Sequence, residues 1–217
     1  MNSKIIEIQK RIEERSKTLR SDYLNKINLA SEHSQSARKN MGCSNIAHAF
    51  ASCDKAQQGD AADGADIIGI ISAYNDMLSA HAPLKDYPDV IKESSLKRNA
   101  IARVAGGVPA MCDGITQGEP GMELSLFSRD VIALSTAVGL SHNVFDAAIC
   151  LGVCDKIVPG MVIGSLSFGH LPLAFIPAGP MPTGISNSDK NEVRKKFANG
   201  EVDRSTLIST EQAAYHS

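Results

Sequence analysis

The sequence predicts an α/β protein: a mostly parallel sheet flanked by helices and preceded by an amino-terminal helical segment. Short apolar runs alternate with helical patterns along most of the chain, as in successive βα units. The strand-like runs lack the polar alternation of half-exposed strands, which is typical of parallel strands covered on both faces. The run at residues 67–71, four isoleucines around one glycine, is the clearest of them.

The amino-terminal segment, residues 1–40, carries nine basic and five acidic residues. Its apolar side chains recur at spacings of three, four and seven, which predicts one amphipathic helix; they are Ile5, Ile8, Ile12, Leu19, Tyr23 and Ile27. We expect this helix to pack on the body of the protein or on a second subunit. Residues 41–217 then form the α/β domain, with a small, polar loop at 55–65.

The remaining elements follow from apolar spacing and from glycine and proline positions. The predicted strands are 67–71, 104–111, 147–153 and 173–176. The predicted helices are 88–102, 122–140, 159–168, 190–199 and 205–215. Within the third of these helices, Gly160 and Gly164 form a small-residue face, which indicates close packing against a neighbouring helix.

Composition excludes several classes of protein. The 22 basic and 24 acidic residues leave a net charge of −2, which argues against nucleic-acid or anionic-membrane binding through bulk charge. No apolar stretch approaches the roughly 18 residues that predict a transmembrane helix. The five cysteines, an odd number without a secretory signal, predict a cytoplasmic protein whose thiols stay reduced.

Charge is scarce in the centre of the chain, where residues 104–188 contain eight charged side chains but 12 of the 17 glycines. A charge retained in so apolar a setting needs a partner or a metal. Parallel sheets bind ligands beyond the carboxyl ends of their strands. Asn75, Asp76 and His81 follow the first predicted strand, Cys112 and Asp113 the second, and Cys154, Asp155 and Lys156 the third.

Each of these residues also has a purely structural interpretation. A free cysteine such as Cys154 is often a small buried apolar group. Asp113 precedes a glycine and so fits a turn, and Asp155 with Lys156 fits a solvated pair at a loop tip. The sequence lacks the G-x-x-x-x-G-K-[ST], G-x-G-x-x-G, C-x-x-C and H-E-x-x-H patterns, which disfavours ATP hydrolysis, Rossmann-type dinucleotide binding and a zinc finger.

Six strings together resemble the dihydroxy-acid/6-phosphogluconate dehydratase family. They are GCSNIAH (42–48), YNDMLSAH (74–81), VAGGVPAMCDGITQG (104–118), GMELS (121–125), GLSH (139–142) and GVCDKIVPG (152–160). The first two are similar to its phosphogluconate branch. The resemblance implies a hydro-lyase of Entner–Doudoroff sugar breakdown that converts 6-phospho-D-gluconate to 2-dehydro-3-deoxy-6-phosphogluconate. An iron–sulfur cluster would serve as Lewis acid.

The resemblance also implies roles for single residues. Cys154 matches a cluster ligand. Because the loop 75–81 has no cysteine, unlike that of two-iron relatives, a 4Fe-4S cluster is implied. Asp113, Asp155 and Lys156 match residues that hold Mg²⁺ in dihydroxy-acid relatives, where the lysine is carbamylated.

The family is dimeric, so the resemblance implies a homodimer. It also implies a small sugar-acid phosphate as the substrate. The chain is far shorter than full-length members, and we expect an amino-terminal part: the next cluster cysteine would follow soon after Ser217, and the general base would come from a second domain. Two alternatives remain, namely a dehydratase of dihydroxy acids or unphosphorylated aldonic acids, and a non-catalytic α/β module.

Overall fold

Four parallel strands form the sheet at the centre of the chain, in the order β2-β1-β3-β4. The strands are β1 (Asp66–Ser72), β2 (Ala100–Gly107), β3 (Ala147–Leu151) and β4 (Leu173–Ile176). The structure is a computed structural model that describes residues 2–62, 64–178 and 184–214. All three pairings are parallel, so the predicted α/β class is confirmed. We call the edge formed by the carboxyl ends of the four strands, with the loops that follow them, the rim.

Helices surround this sheet. They are α1 (Ser3–Asn40), α2 (Cys43–Phe50), α3 (Lys55–Ala62), α4 (Tyr87–Leu96), α5 (Asp113–Thr116), α6 (Ser125–Leu140), α7 (Ile157–Leu166), α8 (Asn187–Ala198) and α9 (Arg204–Ala214). Two 3₁₀ turns, Ala82–Lys85 and Pro120–Leu124, complete the described elements. None of the helices within the described ranges is both long and apolar enough to cross a membrane.

The central strand β1 explains why the sheet is buried. Ile67, Ile70 and Ile71 are fully buried, because both faces of this strand are covered. Gly69 lies against the ring of Phe145, and a Cβ at this position would come within 3.0 Å of that ring. The outer strand β4 is only partly covered, and Phe175 remains 39% exposed.

The predicted boundary between α4 and β2 was wrong. The predicted helix 88–102 ends at Leu96, and the predicted strand 104–111 begins at Ala100 and ends at Gly107. The reason is Asn99, whose φ of 55° is left-handed and ends a helix as glycine often does. The apolar residues that follow it, Ile101 and Ala102, belong to the buried strand.

The predicted loop at 55–65 was also wrong over most of its length, because residues Lys55–Ala62 form α3. The side chain of Asp54 accepts a hydrogen bond from the amide of Gln57 at 2.8 Å, which is the contact that favours a helix start. The Gln58 side chain donates to the carbonyls of Phe50 and Cys53. These polar contacts anchor a helix that composition alone does not reveal.

Helices α6 and α7 pack through glycine, as the small-residue face predicts. A Cβ on Gly160 would lie 2.8 Å from Ile132 Cγ2, and one on Gly164 would lie 2.9 Å from Thr136 Cβ. Ile132 and Leu140 are fully buried on this side of α6, whereas Leu134 on the opposite side is 69% exposed. The predicted helix 122–140 therefore exists from Ser125 onward, with its small residues inward.

The amino-terminal helix is confirmed as one continuous element, α1. The hydroxyl of Tyr23 donates to the carbonyl of Leu166 at the end of α7, at 3.0 Å. Arg38 forms an ion pair of 3.0 Å with Asp146, just before β3. The apolar side chains nearer the amino terminus have no such cover and are at least half exposed: Ile5, Ile8, Ile12 and Leu19.

Candidate functional site

The carboxyl ends of the strands meet at one level of the sheet. Hydrogen bonds continue past the strands: the amide of Ala73 donates to Leu151 at 2.8 Å, and that of Val108 donates to Ser72 at 3.0 Å. The loops after β2 and β3, which flank β1 on either side, therefore leave the sheet together. This topology brings the second and third groups of predicted residues into the same region of the rim.

Lys156 connects these two loops. Its ammonium group contacts the carboxylate of Asp113, 43 residues earlier in the chain, and lies 3.3 Å from Asp155 Oδ2. The lysine side chain is only 12% exposed, whereas the Asp155 side chain is 81% exposed. The solvated pair at a loop tip thus describes Asp155 but not Lys156, whose main partner lies across the rim.

Asp113 is held from two sides. Besides the Lys156 ammonium, it accepts a hydrogen bond of 2.6 Å from the hydroxyl of Ser125, the first residue of α6, which is 3% exposed. Lys156 and then Ser125 keep the pKa of Asp113 below its ordinary value. The same contact with Asp113 raises the pKa of Lys156. The structure therefore contains a carboxylate and an ammonium in a fixed ion pair.

Cys154 occupies a strained turn between β3 and α7. Its φ is 79°, a left-handed conformation that residues other than glycine rarely adopt. The turn points its thiol to the surface, where Cys154 is exposed, so the interpretation as a buried apolar group fails. Nearby protein still displaces enough water to raise the pKa of this thiol, and the neighbouring Cys112 raises it further.

Cys112 is the second thiol of the rim. It is half-buried and directly precedes Asp113, in extended backbone at the start of α5, and its side chain makes no capping hydrogen bond. Among the ionisable neighbours of Cys154, Cys112 has the largest effect on the Cys154 pKa, ahead of the adjacent Asp155. The Lys156–Asp113 ion pair joins the loops that carry these two cysteines.

The loop after β1 contributes a buried histidine. His81 is 1% exposed, and its Nδ1 donates to the carbonyl of Ala73 at 2.9 Å. Burial lowers the pKa of His81, so the ring is neutral. Its Nε2 is buried without a hydrogen-bond partner among the described residues. Asn75 accepts from the amide of Met77 and so stabilises its own loop, while Asp76 is exposed.

The other three cysteines lie elsewhere. Cys150 is buried in β3, with its sulfur 3.8 Å from the hydroxyl of Ser165. Cys53 packs with a group of apolar side chains at the amino ends of the strands, among them Ile67 and Phe145. Cys43 is exposed at the start of α2, beside residues that line a cavity of about 420 Å³ at that same amino-terminal edge.

The rim thus combines two thiols, two carboxylates and one ammonium. Thiolate is the ligand type that iron–sulfur centres use, and carboxylate oxygens suit Mg²⁺. Within the described ranges, no three His, Cys, Asp or Glu side chains converge closely enough to hold a metal ion by themselves.

Sequence reasoning selected Asp113, Cys154, Asp155 and Lys156, but gave no role to Ser125 or Cys112. Ser125 lies within one of the recognised strings, which is the signal that could have identified it.

The sequence profile described as the amino-terminal part of dihydroxy-acid/6-phosphogluconate dehydratases matches residues 66–217. The chain belongs to this family. Members of this dehydratase family resemble the chain over nearly its entire length. The chain is 55% identical over 216 residues to a phosphogluconate dehydratase of Rhizobium meliloti (strain 1021), and this match covers 99% of the chain.

Two further dehydratases of the family carry the same name. The identity is 53% over 217 residues with that of Pseudomonas aeruginosa and 52% over 220 residues with that of Escherichia coli (strain K12), each covering 100% of the chain. A dihydroxy-acid dehydratase of Akkermansia muciniphila is 37% identical over 151 residues, or 66% of the chain. The chain spans about 36% of the length of its phosphogluconate dehydratase relatives.

Proposed function

We propose that the complete protein containing this chain dehydrates 6-phospho-D-gluconate to 2-dehydro-3-deoxy-6-phosphogluconate, as a hydro-lyase of the Entner–Doudoroff pathway. The observation that carries this proposal is the identity of 52–55% to phosphogluconate dehydratases over almost the whole chain. The dihydroxy-acid dehydratase relative is less similar and matches a shorter part of the chain.

The reaction removes the elements of water from neighbouring carbons. A base takes the proton from C2, the C3 hydroxyl leaves, and the resulting enol becomes the 2-keto acid when a proton is added at C3. Two features make the reaction slow without help: hydroxide is a poor leaving group, and the C2 proton lies beside a carboxylate that is already negative. Catalysis therefore needs a Lewis acid near the C3 hydroxyl and a positive charge near the carboxylate.

The residues of the rim fit an iron–sulfur cluster. Cys154 is exposed on a turn between β3 and α7, and Cys112 lies on the loop that the Lys156–Asp113 ion pair joins to this turn. When bound, a cluster of this kind supplies Lewis-acid chemistry for the departure of a hydroxyl group. Because the raised pKa of Cys154 keeps its free thiol protonated, binding iron would release that proton.

Lys156 supplies the positive charge of the rim. Its contact with Asp113 fixes the ammonium close to the Cys154 turn, and its raised pKa keeps it protonated. We propose that the substrate carboxylate binds beside this ammonium, which would stabilise the negative charge that develops there when the C2 proton leaves. In this state Lys156 positions and stabilises, and it does not act as the base.

Binding of Mg²⁺ by Asp113, Asp155 and Lys156 stays a prediction. The two carboxylates are suitable ligands, but the protonated lysine contacts both of them and already supplies a positive charge. In this arrangement the three residues do not fit a magnesium ion, which would first require the lysine to lose its proton. We derive no step of the reaction through magnesium.

A second copy of the protein is the partner that we propose. Four apolar side chains on the first half of α1 lie on a stripe that no described residue covers to any large extent; Ile5, Ile8, Ile12 and Leu19 are 50–73% exposed. Such a stripe is typical of helices that pair. We also propose a cytoplasmic location, since all five cysteines are free.

An assay of the complete protein, prepared without oxygen, tests the proposed function. We expect turnover of 6-phospho-D-gluconate with formation of the 2-keto acid, and much slower turnover of gluconate and of 2,3-dihydroxy acids. Equal turnover of gluconate and 6-phosphogluconate would contradict a phosphate-specific enzyme. Exclusive turnover of a branched dihydroxy acid would instead favour dihydroxy-acid dehydratase activity, and no turnover of any acid would favour a non-catalytic module.

A further inference from the structure

We propose that Cys112 is a second protein ligand of the iron–sulfur cluster and shares the cluster with Cys154 across the rim. This inference rests on the proposed function, because it needs the cluster that the dehydratase reaction uses. The sequence resemblance gave a ligand role to Cys154 alone. In the structure, Cys112 and Cys154 lie on two loops that the Lys156–Asp113 ion pair joins.

The Lys156–Asp113 contact fixes the relative position of the two cysteine-bearing loops. Cys112 is adjacent to Asp113, and Cys154 is two residues before Lys156, so this ion pair holds both loops at one place on the rim. Strands β2 and β3 run parallel on either side of β1 and deliver the two cysteines at the same edge. Ser125 holds Asp113 from the side of α6, which restricts the Cys112 loop further.

The Cys112 thiol is available for ligation. Its sulfur lies above Gly114, where a Cβ would be in ordinary contact at 3.5 Å, and its side chain makes no hydrogen bond at the helix start. As a cluster ligand, each of the two thiols would release one proton on binding.

The remaining cysteines of the chain cannot take this place. Cys150 is buried within the sheet, and Cys53 packs with side chains at the amino ends of the strands, on the opposite edge from the rim. Cys43 lies at the start of α2, whose last residue, Phe50, packs in the same group as Cys53. Since iron–sulfur clusters are held by several cysteine thiolates, Cys112 is the partner of Cys154 that this chain supplies.

Alkylation of the unmutated complete protein tests this proposal without a variant. Iodoacetamide is applied under native conditions to the iron-loaded protein and to the same protein after removal of iron by a chelator, and each cysteine is followed by mass spectrometry. We expect Cys112 and Cys154 to react in the iron-free form and to be protected in the loaded form. Exposed Cys43 should react equally in both. Equal labelling of Cys112 in the two forms would overturn the proposal.

Two alanine variants separate ligation from simple cover. We expect Cys112→Ala to lose most of its iron, its sulfide and its visible absorption after anaerobic reconstitution, as Cys154→Ala does. The matched control is Cys53→Ala, at another half-buried cysteine, which should keep all three. Circular dichroism shows whether each variant is folded, and the labelling result decides the question if Cys112→Ala is not.

The outcomes distinguish the two proposals. A Cys112→Ala protein that keeps full iron and an unchanged spectrum, while Cys154→Ala loses both, would overturn the role of Cys112 and leave the proposed function intact. A complete unmutated protein that takes up no iron would overturn the cluster, and with it both the proposed function and this inference.

Discussion

The ammonium group of Lys156 contacts the carboxylate of Asp113 across the rim and so ties the loop after β3 to the loop after β2. Asp155, although adjacent to Lys156, is the weaker partner, because its side chain is 81% exposed and 3.3 Å away. The two carboxylates therefore differ in their structural role. Asp113 links two distant segments of the chain, whereas Asp155 forms a solvent-exposed ion pair with the residue next to it.

This difference can be measured with two double-mutant cycles. For Asp113→Asn with Lys156→Gln we expect a coupling of about 1 kcal/mol in the free energy of unfolding, since the pair is partly shielded. For Asp155→Asn with Lys156→Gln, the control cycle, we expect less than about 0.5 kcal/mol, the range of exposed pairs. Urea unfolding provides the values. Equal couplings in both cycles would contradict the structural role of Asp113.

Gly164 should be intolerant of a side chain. A Cβ at this position would lie 2.9 Å from Thr136 Cβ in α6, so Gly164→Ala must push the two helices apart, and we expect a loss of about 1–3 kcal/mol. The control is Gly59→Ala in α3, where nothing lies within 4 Å and alanine should stabilise by about 0.5–1 kcal/mol. A neutral Gly164→Ala would mean that α6 and α7 are not closely packed.

Replacing Cys154 by glycine should separate stability from cofactor binding. The φ of 79° suits glycine, so Cys154→Gly should stabilise the apoprotein by about 1 kcal/mol relative to Cys154→Ala, which keeps the strained backbone and lacks the thiol. Both variants should lack iron. Thermal unfolding and iron analysis test this pair, and an equal stability of the two would show that the turn relaxes in solution.

Acid should weaken the fold through His81. Burial lowers its pKa below the unfolded value of 6.5, so the unfolded chain binds a proton more readily than the folded one. Stability should therefore be constant above about pH 7 and fall as the pH drops through 6.5 toward the folded pKa. His170 has a pKa lowered by burial and contributes in the same direction.

The loss of stability can be measured from the urea unfolding midpoints at several pH values from about 7 downward. In His81→Gln the fall should be shallower, with the remainder due to His170. A slope identical to that of the unmutated protein would show that His81 does not titrate on unfolding.

Magnesium binding at the rim has its own test. If Asp113 and Asp155 hold Mg²⁺ once Lys156 is carbamylated, magnesium should raise the unfolding temperature only when bicarbonate is present. Asp113→Asn should abolish that rise, whereas Asp76→Asn, an exposed carboxylate after β1, should leave it unchanged. A rise that is independent of both bicarbonate and Asp113 would place the ion elsewhere.

The fold class and the meeting of Asp113 with the Cys154 loop could be predicted because they follow from topology. Once the apolar runs are parallel strands, their carboxyl ends share an edge. The errors arose where one residue overrides a pattern: the left-handed Asn99 ends α4 early, and Asp54 starts α3 in a segment whose composition indicates a loop. Apolar spacing also could not tell which face of α6 is covered: Phe127, Leu134 and Val138 are exposed, whereas Ile132 and Leu140 are buried.

The site itself was only partly predictable. Adjacent residues in an extended chain point in opposite directions, and this pattern does not indicate that Cys112 and Asp113 face the same place. The start of α5 at Asp113 turns the chain at this point, and both residues lie at the rim. Ser125 could not be selected merely because it is a serine. Its contact with Asp113 depends on how the first turn of α6 approaches the rim.

The attachment of α1 has a mechanical consequence. Tyr23 of α1 donates a hydrogen bond to Leu166, the last residue of α7. The first residue of α7, Ile157, lies three residues after Cys154. The ten residues of α7 form a helix about 15 Å long. We therefore expect a displacement of α1 to be transmitted through α7 to the turn at Cys154. A partner bound to the apolar stripe of α1 would therefore be coupled, through α1 and α7, to the turn that carries Cys154.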